Sequence, residues 1–113
     1  MSNYTLVKSV LEEIDIPEKG FLSRTIHNDD NVKILLFSFA ARAELAAHKA
    51  PMPVVIQILQ GEAAVTIGDD RHPAAAGCLI CLPADLIHSI TANSPVRMML
   101  SLLKAPSLTA TIG

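Results

Sequence analysis

The sequence predicts an all-β fold, a sandwich or barrel of antiparallel strands. Short apolar runs recur along the chain, each bounded by Gly, Pro, Asn or Asp at close intervals. No strand–helix alternation of the kind that builds a parallel sheet is visible. The apolar share is 50% while aromatics reach only 4%, so Ala, Val, Leu and Ile must supply the core.

The elements follow in order. Thr5–Ile16 places Leu6, Val7, Val10, Leu11 and Ile14 at helical spacing, and predicts a short amphipathic helix or helical turn. Pro17 ends it and Gly20 releases the chain. Phe21–Asn28 reads as a strand, Asn28-Asp29-Asp30-Asn31 as a turn, and Val32–Ala40 as the returning strand of a hairpin. Ala41–Lys49 would suit a helix by propensity. Its β surroundings make it a loop and a short strand instead. Pro51 and Pro53 forbid regular central pairing where they stand. Val54–Gln60 is a strand, and Gly61 bends the chain into Glu62–Ile67. Gly68-Asp69-Asp70 turns it back into Arg71–Ala75. Gly77–Leu82 is the next strand, stopped by Pro83. Leu86–Ala92 and Val96–Lys104 follow, with a turn at Asn93-Ser94-Pro95. Beyond Pro106 the chain reads as a loose tail or an interface strap. The total is about nine strands.

A length of 113 residues suits one domain, residues 1–113, with one core. The net charge of −2 comes without a basic run or aromatic–basic interleaving, so no nucleic-acid partner is expected. The start, MSNYTLVKSVLEE, has no leader-like apolar stretch, and nothing approaches the ~18 apolar residues of a membrane span. A cytoplasmic protein is expected. Cys78 and Cys81 form a C-x-x-C pattern, but residues three apart on a strand face opposite ways, so they read as buried small hydrophobes. An apolar-rich small domain also suggests an oligomer interface.

The chemistry-bearing residues are few. On Leu86–Ala92 the alternation puts Leu86, His88, Ile90 and Ala92 on one, apolar face, so His88 points inward, as a core histidine or as a ligand-binding group. His48 precedes two prolines, where a turn can aim it at the barrel. Gln57 interrupts an apolar strand, where it contacts a ligand or another subunit or merely reaches solvent. Glu44 is a poor partner for His48, since four extended residues span roughly 13 Å. His27 and His72 sit near hairpin ends, where solvated histidines are common. Arg24 and Arg97 lie on strands with apolar neighbours. They read as exposed or interface residues, with an anionic ligand as the other option.

The stretches His48–Gly61 and Gly77–His88 together resemble the two motifs of the cupin superfamily. The second motif is a Gly, then five residues, a Pro, and a His five positions later. Gly77, Pro83 and His88 stand in that register. In the first motif, His48 takes the first histidine and Gly61 the glycine. Ala50 stands where a second histidine would be, and Val54 where the glutamate would be. Asp85 replaces a glycine of the second motif, and Ala92 takes the asparagine slot, with Asn93 beside it. Ser23-Arg24-Thr25 and His48-Lys49-Ala50-Pro51 are similar to segments of small stand-alone cupins of the RmlC-like, cupin-2 type.

The resemblance implies a double-stranded β-helix, or jelly-roll, barrel with its core at about 22–104 and a short N-terminal helical turn. It implies a homodimer. It places His48 and His88 at a degenerate metal site for Fe, Mn, Ni or Zn that keeps two of the usual four ligands. The expected function is binding of a small molecule in the barrel near His48, Gln57 and His88. A metal-dependent enzyme (dioxygenase, isomerase or decarboxylase) using His48 and His88 is the alternative. A metal-free enzyme with His88 as base would need an acid partner, and the single tyrosine, Tyr4, lies outside the barrel.

Overall fold

The computed structural model describes residues 3–104. The expectation for the tail after Pro106 lies outside the described residues. Nine strands form: β1 (Phe21–Asn28), β2 (Val32–Phe39), β3 (Glu44–His48), β4 (Val54–Gln60), β5 (Glu62–Ile67), β6 (Asp70–Ala75), β7 (Leu79–Leu82), β8 (His88–Ala92) and β9 (Val96–Leu103). They make two antiparallel sheets, ordered β1-β2-β9-β4-β7 and β3-β8-β5-β6. The two sheets pack face to face as a sandwich.

Alternation decides what fills the space between them. On β4, Val54, Ile56 and Ile58 are buried, and on β9 Val96, Met98 and Leu100. Ala63 and Val65 of β5 and Ile90 and Ala92 of β8 join the same cluster from the other sheet. The chain crosses from one sheet to the other at Gly61. That residue has φ 90°, and a Cβ there would lie 2.0 Å from the carbonyl oxygen of Pro95. Only glycine fits.

The β1–β2 turn is closed by Asp29. Its Oδ1 accepts the backbone N–H groups of Asn31 at 2.7 Å and Val32 at 2.9 Å. Lys104 caps the same turn, donating to Asn28 Oδ1 at 2.6 Å and to the Asp29 carbonyl at 2.5 Å.

The expected helical turn near the N-terminus forms, without a longer helix. Only Val10–Glu12 is helical, as a single 3-10 turn. The rest of the segment runs as a strap along the first sheet, where it meets the buried Ser38. Its carbonyls are taken by distant side chains and not by a helical ladder. Arg24 Nη1 donates to the Glu13 carbonyl at 2.7 Å, Arg97 Nε to Ile14 at 2.9 Å, and Ser38 Oγ to Asp15 at 2.7 Å. Arg97 also donates to Gln60 Oε1. The two arginines therefore clamp the strap. The first part of the strap flanks an open cavity of about 360 Å³, with Tyr4, Thr5 and Val7 on one side and Ile26, His27, Val32 and Ile34 on the other.

The cysteine expectation is met on one side only. Cys78 packs against the core cluster, but Cys81 is exposed on the outer face of β7. Both are free thiols.

Candidate functional site

His48 closes β3 and His88 opens β8. The two strands pair antiparallel, with a register shift between Leu45 and His48 that sets the two histidines opposite each other. Their ring centroids are 4.4 Å apart and tilted by 54°. The loop before β8 is tied to the segment after β3, where the Asp85 N–H donates to the Ala50 carbonyl at 2.7 Å. Asp85 has φ 67°, a left-handed conformation that aspartate tolerates better than most residues. That accounts for aspartate at a position where glycine is the usual choice.

Both rings are held in the same way. His48 Nδ1 lies 2.9 Å from the carbonyl of Ala46, and His88 Nδ1 lies 3.0 Å from the carbonyl of Leu86. A carbonyl oxygen only accepts, so each Nδ1 carries a proton, and in the neutral form of either ring Nε2 is the bare nitrogen. The two Nε2 atoms differ in their surroundings. His88 is 3% exposed, and its Nε2 is buried without a hydrogen-bond partner. His48 is exposed.

The positions that might have completed a metal set are apolar and packed. Val54 is buried in the core, and Ala50 packs against it. Glu44 turns away, with Oε2 at 3.5 Å from Thr91 Oγ1 on the outer side of β8. Asp85 is exposed. Among the described residues, no group of three or more His, Cys, Asp or Glu could hold a metal ion.

Gln57 does not join the pair. Alternation on β4 sends Val54, Ile56 and Ile58 inward, so Gln57 faces outward. There it lines a shallow depression of about 480 Å³ with Leu59, Cys78 and Leu79. His72 is exposed on β6. His27 belongs to the strap contact, with Nε2 donating to Asp29 Oδ2 at 2.7 Å and Nδ1 hydrogen-bonded to Thr5 Oγ1 at 2.8 Å. His27, followed by the backbone N–H groups of Val32 and Asn31, lowers the Asp29 carboxyl to about 2. The carbonyls of Ala46 and Leu86, which fix the two tautomers, were not expected from the sequence. Each lies two residues before its histidine, a spacing that any strand offers.

The profile of the AraC-like ligand binding domain family matches residues 38–111. The chain belongs to that family. It is a small cupin of the RmlC-like type, and solved structures agree with that placement. A conserved protein of unknown function from Streptococcus pyogenes superposes with a TM-score of 0.82 at 27% identity, over 94% of this chain and 93% of that one. A cupin superfamily protein from Desulfitobacterium hafniense DCB-2 gives 0.81 at 28% identity, over 85% and 88%. An RmlC-like cupin from Desulfovibrio desulfuricans, at 24% identity and TM-score 0.74 over 91% and 96%, shares the fold. No curated protein matches the chain. No helix of the described cupin is long and apolar enough to cross a membrane.

Proposed function

We propose that this cupin binds a small organic molecule at the end of the barrel where β3 and β8 meet, with His48 and His88 as its polar anchors. The observation that carries the reading is the buried, unpartnered Nε2 of His88. Leaving such an atom without a partner costs about 1–3 kcal/mol. A ligand that donates to it recovers that cost. The exposed His48 ring is the wall that turns to admit the ligand, and its own Nε2 supplies a second contact. The match to a ligand-binding family supports the same reading.

A resident metal fits poorly. Structural or catalytic zinc takes three or four protein donors, and mononuclear iron oxygenases take two histidines and a carboxylate. Two imidazoles without a carboxylate fall short of either set, so we assign no chemistry to Fe, Mn, Ni or Zn here. Turnover by His88 alone also lacks support. Tyr4, the single tyrosine, lines the strap cavity on the outer face of the sheet. Binding in the cytoplasm, as a homodimer, is the form in which we place the protein. The exposed Leu79 on the edge strand β7 supports an interface there.

A thermal-shift screen of metabolite-sized compounds tests the function. Compounds that raise the melting temperature of the native protein should lose that effect in His48→Ala and His88→Leu. Hits that act equally on all three proteins would sink the assignment of the site.

A further inference from the structure

We propose that Thr5, His27 and Asp29 form a second, hydrolytic site, in which the Thr5 hydroxyl attacks small apolar carboxylic esters held in the cavity beside the strap. The site is separate from the histidine pair and does not depend on the reading above. Its three side chains stand in series. Thr5 Oγ1 lies 2.8 Å from His27 Nδ1, and His27 Nε2 lies 2.7 Å from Asp29 Oδ2. Asp29 is fixed in turn, because its Oδ1 accepts the N–H groups of Asn31 and Val32. A hydroxyl beside an imidazole that a carboxylate orients is the arrangement that activates a nucleophile. It is defined by geometry and role, and it occurs on unrelated folds. The carboxylate also settles the protons. His27, followed by the N–H groups of Val32 and Asn31, holds the Asp29 carboxyl at about 2, so at neutral pH it is ionised and only accepts. Nε2 of His27 therefore carries a proton. In the neutral ring Nδ1 is then the bare nitrogen, and the Thr5 hydroxyl donates to it.

The cavity gives the substrate class. The register of β1 shifts between Thr25 and His27, and this irregularity lets the consecutive residues Ile26 and His27 line the same cavity. Its volume of about 360 Å³ suits a small molecule. Thr5 is exposed, so a ligand reaches its hydroxyl. The rest of the wall is aliphatic, from Val7, Ile26, Val32 and Ile34, with no carboxylate, lysine or arginine in the lining. A short acyl chain fits such a wall, and an acid or an amine finds no counter-ion there. Tyr4 supplies the remaining hydroxyl of the lining, and we assign it as donor to the developing oxyanion. In the first step Thr5 Oγ1 bonds to the carbonyl carbon while its proton passes to His27 Nδ1. The ester C–O bond then breaks, and the departing oxygen takes that proton. Water attacks the acyl-Thr5 in the same way, giving its proton through His27 to Thr5 Oγ1 as the carboxylic acid leaves.

p-Nitrophenyl butyrate and the full chain provide the test, with Thr5→Val, Thr5→Ser, His27→Ala and Asp29→Asn beside the native protein. Release of p-nitrophenol gives kcat/KM, and peptide mapping by mass spectrometry after an acid quench locates any butyryl group. Circular dichroism checks that each variant keeps its fold. The native protein should carry butyryl on Thr5. Thr5→Val and His27→Ala should lower kcat/KM at least about a hundredfold, the contribution of a positioned general base. Thr5→Ser keeps a hydroxyl and should retain turnover. Asp29→Asn should slow the reaction, since an amide does not hold the proton on Nε2, while its Oδ1 still closes the turn. The pH at half-maximal rate should coincide with the titration of His27 followed by NMR. No release above buffer overturns the proposal. So does butyryl found only on lysines, or equal rates in the native protein and Thr5→Val. Loss of turnover in His27→Ala with full turnover in Thr5→Val overturns the role of Thr5 as nucleophile, and with it the acyl-enzyme.

Discussion

Replacing His88 by leucine should stabilise the ligand-free protein. His88 is 3% exposed, with one ring nitrogen bonded to the Leu86 carbonyl at 3.0 Å and the other without a partner. Removing the unpartnered Nε2 relieves about 1–3 kcal/mol of desolvation. The lost Nδ1–H bond costs about 0.5–1.5 kcal/mol. The half-buried Leu86 keeps access to water for its carbonyl. Leucine is close to histidine in volume, so repacking costs less than about 1.5 kcal/mol. Before repacking the net expectation is a gain of about 1 kcal/mol, so the variant should gain at most about 4 °C in melting temperature for a domain of this size. His48→Leu, at an exposed position, should stay within about 0.5 kcal/mol and serves as control. Urea titration monitored by circular dichroism measures both variants. A loss of more than about 1 kcal/mol in His88→Leu would mean that Nε2 is satisfied in the free protein. The argument for a waiting acceptor would then fail.

Gly61→Ala must force a Cβ to within 2.0 Å of the Pro95 carbonyl oxygen at φ 90°. It should cost at least about 3 kcal/mol in denaturant titration or abolish soluble expression. Arg97→Ala should release the strap at Ile14, with a loss of about 1.5–3 kcal/mol and faster amide exchange at residues 13–15. Arg24→Ala, with a side chain 57% exposed, should cost under about 1 kcal/mol in the same assay. The Asp29 carboxyl is lowered from 3.8 to about 2, chiefly by His27. A folded value below the unfolded one contributes stability that is complete above about pH 4 and is lost as pH falls through about 2. In His27→Ala the Asp29 carboxyl carbon, followed by NMR, should titrate closer to its ordinary range. An unchanged titration would assign the shift to the backbone donors alone.

The strands were legible because a single physical pattern, alternation broken by turn formers, writes them into the sequence. All nine appear, including β3, which propensity alone would have made helical. The strap was not legible. Its apolar spacing is helical, yet Leu6 is 71% exposed and only Ile14 is buried. What fixes it is Arg24, Ser38 and Arg97, and the last lies 83 residues from its acceptor. No local pattern reveals partners at such a distance. At the site, alternation on β8 correctly turned His88 inward. The same rule applied to β4 would have turned Gln57 outward, because Val54, Ile56 and Ile58 hold the inner positions. Of the roles open to Gln57 in the sequence, the outward face agrees with reaching solvent or another subunit. The identity of the bare nitrogens was beyond the sequence, since it depends on which carbonyl each ring meets.

The most direct test is a high-resolution crystal structure of the protein with a compound that raises its melting temperature. The account predicts donor atoms of the ligand within about 3.2 Å of Nε2 of both His48 and His88. The His48 ring should be turned aside, and both Nδ1 contacts to the Ala46 and Leu86 carbonyls should be intact. A ligand seated in the strap cavity beside Tyr4 and His27, with the two rings unchanged, would contradict it.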